Sequence, residues 1–364
     1  MKIIFEKKAL LEVLDFVVSV VPNHAVLDCV KCLKIVPDVD RVTFMGTNMD
    51  QMAEGIVAAK VEDPGNPFLV DAAMLYKIVK ALEGPDITIK FAQTVCMVQS
   101  CGSSFKLAVI DPEEFPEFIN FTEKFKASVN TMDLVEAING TAFCISANNV
   151  QEAYRGVKFE FDSSKLTLVA LDGFRVGVRK LDCVSDVYSG IVPAKTLDAI
   201  SRGFTDEKTE ISADDKFISF SNGKFKLISK LINGSFLDYK TALPSAKGAK
   251  VVIDTQKLGN MLTKAGLVVG EKVRQPLVLK IGDDFVNAQI VSTLGGFEDV
   301  VPAQTEGYLE KIGLNNKFFL QAVKAIKDEN VVLQFASAFQ PIQILPEDGS
   351  DKFLYIVLPI RVRD

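Results

Sequence analysis

The chain has 364 residues, of which 48% are hydrophobic and 24% charged, and a formal net charge of −6 from 41 basic and 47 acidic side chains. That length holds two or three domains with full cores, and the composition excludes disordered, collagen-like and low-complexity chains. A single histidine, His24, excludes a multi-His metal site and leaves little of the common His-based catalytic repertoire, while the acidic balance on its face disfavours a nucleic-acid partner.

Lys2 precedes an apolar stretch running to Val21, but Glu12 and Asp15 interrupt it and no small-residue cleavage site follows, so a secretory signal is not expected. No later stretch approaches the uninterrupted apolar run that a membrane helix needs. The six cysteines are scattered without a framework spacing, which fits a cytosolic chain. Cys29 and Cys32 form one C-x-x-C without a second ligand pair and are expected to be buried structural thiols.

Taken in chain order, the predicted elements repeat. A short strand from Ile3 leads into a helix with an apolar stripe at Leu10, Leu14, Val17 and Val21. A second strand and helix begin at Phe68, with Asp71 as the start signal, and a strand, turn and strand follow to Ile110. The first pattern returns from Ala127 and from Val251, with Phe5, Val129 and Ile253 spaced by 124 residues twice. The second returns at Gly190, with Pro193 near the first turn, and at Ile312, with Asn315 as cap. Alternation at Val157, Phe159 and Phe161, a turn at Asp162 to Ser164, and then Leu166, Leu168 and Ala170 mark a hairpin. Asp38 with Asp40, and Asp283 with Asp284, fall at equivalent hairpin tips and read as solvated turn residues. Each unit reads β-α-β-β-β, two units make a domain, and the chain divides into three α+β domains at 1–122, 123–246 and 247–364. Within a domain the two amphipathic helices are expected to pack side by side on one face of antiparallel sheet.

The helix faces left to solvent carry Lys7, Lys8, Lys77, Lys80, Lys195, Arg202, Lys257, Lys264, Lys317, Lys324 and Lys327. They would form a positive stripe if the six helices line one surface, or be ordinary helix-surface lysines if they do not. The helix near Thr131 adds no base but carries Asp133 and Glu136.

Four stretches give the chain a resemblance along its whole length: IDPEEFPEF from Ile110, LVALDGFRVGV from Leu168, SKLINGSFLDYKTALP from Ser229 and the terminal YIVLPIRV from Tyr355. It resembles the bacterial β sliding clamp family, the processivity factors of replicative DNA polymerases. The resemblance implies a head-to-tail homodimer closed into a ring of six domains, with helices lining a central hole and sheets outside. It implies a non-enzymatic protein without cofactor or metal that holds double-stranded DNA independently of sequence. The eleven helix bases, with His24, Asn148 and Asn149, would face the phosphates. Phe105 and Leu107 would meet Leu267 and Val268 of a second copy, framed by Glu271, Lys272 and Arg274.

The resemblance further implies a pocket between the second and third domains that takes a short, extended, apolar-ended peptide from the replicative polymerase, the clamp loader and repair proteins. Tyr154, Leu171, Gly173, Phe174, Arg175 and Val176 would form one side together with Leu237, Thr241 and Ala242. Asn315, Phe318, Pro341, Ile356, Leu358, Pro359, Ile360 and Arg361 would form the other. Apolar walls would take Leu and Phe side chains, Gly173 would admit a close backbone, and Arg175 and Arg361 would anchor backbone or carboxylate oxygens. Leu237, Tyr154 and Thr241 depart from the residues usual in the family, and Arg363 with Asp364 extends past the usual end, so peptide preference is expected to differ. The alternative left open is a clamp-fold peptide-binding adaptor without DNA loading.

Overall fold

The structure, a computed structural model, describes the chain apart from residues 63–64, 93, 118, 147–149, 244–247, 270–274 and 363–364. Among the described residues there are six α-helices: α1 Lys7–Val18, α2 Ala72–Ala81, α3 Thr131–Ala142, α4 Ala194–Gly203, α5 Thr255–Ala265 and α6 Asn316–Lys324. Each follows one strand and precedes three, so the β-α-β-β-β unit recurs six times, with short extra strands at Lys60–Glu62, Gln304–Glu306 and Pro359–Ile360. The start signals act by side-chain capping. The carboxylates of Asp71 and Asp254 accept the backbone N–H of Met74 and Lys257, each at 2.7 Å, satisfying donors that no intrahelical carbonyl can reach.

Within each domain the strand before a helix joins the hairpin of the other half. Lys2–Glu6 pairs with Asp86–Ala92, and Phe68–Asp71 with Cys32–Pro37. Lys250–Asp254 likewise pairs with Asn330–Gln334, and Leu309–Leu314 with Leu277–Ile281. The chain's contacts group it into two compact units: 1–135, 183–186 and 192–231 form unit 1, and 136–182, 187–191 and 232–364 form unit 2.

Unit 1 holds a five-stranded sheet ending at Ser103–Ala108 and an eight-stranded sheet. In the latter Gln51–Ala58 pairs antiparallel with Phe225–Lys230, fusing strands of the first domain to strands of the second. Phe125–Asn130 alternates buried and exposed residues along its whole length, as a strand with one covered face must. α1 packs beside α2 and α4. At the α4 contact Phe16 meets Phe204 edge-on at 5.7 Å and Phe225 at 4.5 Å; burying each such ring contributes roughly 1.5–3 kcal/mol.

Unit 2 repeats the plan with a nine-stranded sheet, in which Arg175–Asp182 pairs with Phe353–Val357, and a five-stranded sheet ending at Gly295–Pro302. α5 packs on α6 over a core that includes Leu258, Met261, Leu262, Phe319 and Val323. Lys165–Leu171 and Arg175–Asp182 are buried on both faces because the segment through Phe236, Tyr239 and Leu243 covers the side away from the helices.

Cys29, Cys32, Cys96, Cys144 and Cys183 are buried and Cys101 is exposed in a hairpin turn. Burial pushes the Cys32 thiol up to about 11 and the Cys96 thiol up to about 12, and raises Cys144 as well. Since the thiolate is the reactive form, a disulfide reagent such as DTNB at pH 8 should consume one thiol rapidly in the native chain and all six after denaturation. A second fast equivalent would contradict this burial.

Candidate functional site

The nine-stranded sheet of unit 2 brings distant segments into one row. Arg175 lies opposite Val357, and Val357 opposite Ile342. One residue further along the three chains come Phe174, Leu358 and Pro341, at the same end of the sheet. The Leu358 N–H donates to the Phe174 carbonyl at 2.9 Å, which ties the row together. Beyond Leu358 the chain crosses to the five-stranded sheet, where Pro359 lies opposite Leu314 and Ile360 opposite Gly313. Asn315 follows Leu314 and caps α6. The Asn315 side chain accepts the Phe318 N–H at 3.3 Å, and the Phe318 ring stands 6.3 Å from that of Phe174.

The apolar surface left open here is that of Phe174 (58% exposed) and Leu358 (40%), with Leu237 exposed and Phe318, Pro341, Pro359 and Ile360 half-buried. Gly173 holds φ at +90°, which L side chains adopt only with strain, and the space where its Cβ would stand is empty to 4 Å. A backbone could therefore approach there. Half-buried Tyr154 packs edge-on against Phe236 at 5.7 Å. Thr241 is exposed, its hydroxyl donating to the Asp238 carbonyl at 2.7 Å, and Arg361 is exposed. The Ala242 side chain lies outside the described residues, as do Arg363 and Asp364.

Two expectations are corrected by burial. Leu171, Val176 and Ile356 pack with Val169, Val178 and Tyr239 beneath the surface, so they are the floor under the site and not a wall that a peptide touches. Arg175 is 7% exposed, and each of its three nitrogens already donates to an acceptor within the fold. Nε donates to Asp172 Oδ2 at 2.9 Å, Nη1 to Gln321 Oε1 at 2.6 Å, and Nη2 to the Phe143 carbonyl. The guanidinium carbon lies 4.3 Å from the Phe318 ring centroid and 5.3 Å from that of Phe143. A side chain held this way is buried against the Phe318 and Phe143 rings and backs them from within the fold, where an exposed anchor was expected. Sequence reasoning missed Phe143, Gln321 and Tyr239. Gln321 carried a usable signal, since it stands one helical turn from Phe318 on α6.

The helix bases divide into free and engaged. Lys8, Lys77, Lys195, Lys257, Lys317 and Lys324 are exposed and carry no ion pair among the described residues, and His24 is exposed in a loop. Lys80 is exposed over the Tyr76 ring. Lys7 is corrected: it is half-buried and donates to the Leu82 carbonyl and, at 3.4 Å, to that of Lys80, satisfying the end of α2. Arg202 pairs with Asp198 at 2.8 Å, Lys327 with Glu136 at 2.7 Å, and Lys264 with Asp299. These three are partly neutralised by carboxylates on α4 itself, on α3 and on the strand Gly295–Pro302, so the positive character is thinner than the count of eleven. Asn148 and Asn149 lie outside the described residues.

In unit 1 the edge strand Ser103–Ala108 exposes Phe105 (42%) but turns Leu107 into its own core, which corrects Leu107 as a contact residue. In unit 2 Leu267 is 80% exposed, while Val268 packs partly against the core. Glu271, Lys272 and Arg274 lie outside the described residues.

Three tandem two-helix domains built from six repeated units, with no helix among the described residues long and apolar enough to cross a membrane, define the DNA clamp class. Comparison with known proteins places the chain within it. The N-terminal, central and C-terminal domains of the DNA polymerase III beta subunit match residues 1–119, 128–238 and 240–361. The beta sliding clamp of Streptococcus pneumoniae is 25% identical over 371 residues, covering 98% of each chain, and that of Staphylococcus aureus is 27% identical over 291 residues, covering 78% of this chain and 77% of its own. Among solved structures, a DNA polymerase III beta subunit from Eubacterium rectale superposes with a TM-score of 0.90 at 27% identity over 99% of both chains. A sliding clamp from Pseudomonas aeruginosa, solved with griselimycin bound, gives 0.93 at 25% over the whole of both. The chain belongs to the DNA polymerase III beta-subunit family, the bacterial sliding clamps. It is a replication clamp and not an enzyme.

Proposed function

We propose that two copies of this chain close head to tail around duplex DNA, and that the row at Phe174, Leu358 and Pro341 tethers the replicative polymerase, the clamp loader and repair proteins by an apolar-ended peptide. The observation that carries the ring is a pair of unmatched sheet edges. Ser103–Ala108 has a neighbour on one side only, and so does Gly295–Pro302. Open edges of this length invite pairing, and two different edges that meet in a heterologous contact close a ring when the rotation fits. In this reading the domains run 1–122, 123–246 and 247–364, and Phe105 packs against Leu267 of the other copy.

The six free helix lysines, with Lys80 and His24, face the phosphates and attract DNA without reading it, because sliding tolerates no base-specific contact. The five buried thiols suit a reducing cytoplasm, where we place the protein. Loading onto nicked circular DNA by a clamp loader tests the reading. The native chain should stay on circles and leave on linearisation, whereas Phe105→Asp with Leu267→Asp should sediment as monomer and stay on neither. Persistent dimers in the double variant would refute the assigned contact, and retention on linear DNA would refute encirclement.

A further inference from the structure

Each unit joins two domains edge to edge, and the two junctions match residue for residue. Gln51 stands opposite Ser229 where Arg175 stands opposite Val357. Just beyond, Lys230 N donates to the Asp50 carbonyl at 2.8 Å as Leu358 N donates to that of Phe174. The third residue of α4, Thr196, answers to the third of α6, Phe318, and Ala199 answers to Gln321.

In unit 1 the junction closes with a short neutral chain. Gln51 Nε2 donates to Thr196 Oγ1 at 2.6 Å, and Thr196 Oγ1 lies 2.7 Å from Ser229 Oγ. Joining the sheets therefore requires no guanidinium, no aromatic ring on the helix and no helix amide. Unit 2 has all three at the apolar row, so their purpose lies in what that row does.

We propose that Gln321 is a positioning residue for the peptide site, a reading that rests on the proposed pocket. Its amide oxygen takes one N–H of Arg175, while Asp172 and the Phe143 carbonyl each take another. Three acceptors on three elements fix the plane of the guanidinium. The fixed plane lies against the Phe318 ring at 4.3 Å and holds that ring as a preformed wall beside Phe174 and Leu358. Without the α6 acceptor the guanidinium can tilt and the ring has no fixed backing. A peptide then binds only the fraction of molecules whose wall stands correctly, which lowers affinity without removing a peptide contact.

Stopped-flow association of a fluorescein-labelled pentapeptide ending in Leu-Phe with the full-length chain tests this. Gln321→Leu, of similar size but without an acceptor, should slow association about tenfold with little change in dissociation or in melting temperature. Gln321→Glu, which keeps an acceptor for Arg175, should restore the native rate. Equal association for the native chain and Gln321→Leu overturns the inference, and so does a loss that Gln321→Glu fails to restore. Leu358→Asp run alongside separates the two levels. If that variant binds normally the pocket reading itself fails; if it does not bind and Gln321→Leu is silent, only the role of Gln321 fails.

Discussion

Leu358→Asp should raise the dissociation constant of a Leu-Phe-ended peptide by on the order of 100-fold or more while leaving the fold and the dimer unchanged. The side chain is 40% exposed, so a carboxylate there meets water in the free protein and costs little stability. Its backbone N–H, bound to the Phe174 carbonyl, does not depend on the side chain. An arriving apolar peptide would strip water from that charge beside the apolar side chains of Phe174, Phe318 and Pro341. Fluorescence anisotropy gives the affinity and sedimentation the dimer; unchanged affinity would remove the site from this end of the sheet.

The largest stability effect is expected at Arg179, which is 7% exposed and lies four residues beyond Arg175 in the same strand. Nε donates to the Tyr355 hydroxyl at 2.8 Å and Nη2 to the Ala325 carbonyl at the end of α6. Its guanidinium lies 5.1 Å from the Phe353 ring centroid and 5.6 Å from that of Tyr355, whose phenol burial pushes up to about 12. Gly140 belongs to the same arrangement, because a Cβ there would stand 2.4 Å from Arg179 Nε. Arg179→Ala leaves two polar atoms without a partner and a void against two rings, at a cost of about 3 kcal/mol. The calorimetric transition of unit 2 should fall by roughly 6–12 °C. A shift within experimental scatter would mean that water and relaxation fill the gap.

Much of the fold was legible because its signals are local. The apolar stripes and the caps at Asp71 and Asn315 each depend on residues a few positions apart, and the doubled spacing from Phe5 to Val129 to Ile253 is the same local pattern met three times. The exchange of Lys2–Glu6 into the hairpin at Asp86–Ala92 could not be read, because alternation marks a strand without naming its neighbour. The site follows the same division. Resemblance located Phe174, Leu358 and Pro341, yet Arg175 reads as an exposed anchor in sequence and is buried through partners 32 and 146 residues away. Lys7 and Lys264 lose their freedom in the same way, to groups on other elements.

The exchanged strands also set how the molecule must assemble. Neither half of a domain can complete a sheet alone, since the strand that opens each half finishes the hairpin of the other. The longer of the two closing contacts, Lys2–Glu6 with Asp86–Ala92, joins segments some 80 residues apart, so its loop entropy must be met before the pairing adds any stability. A growing chain therefore carries an open sheet edge until the second half of each domain has been made. A chain cut between the two halves of a domain is expected to lose the sheets of both.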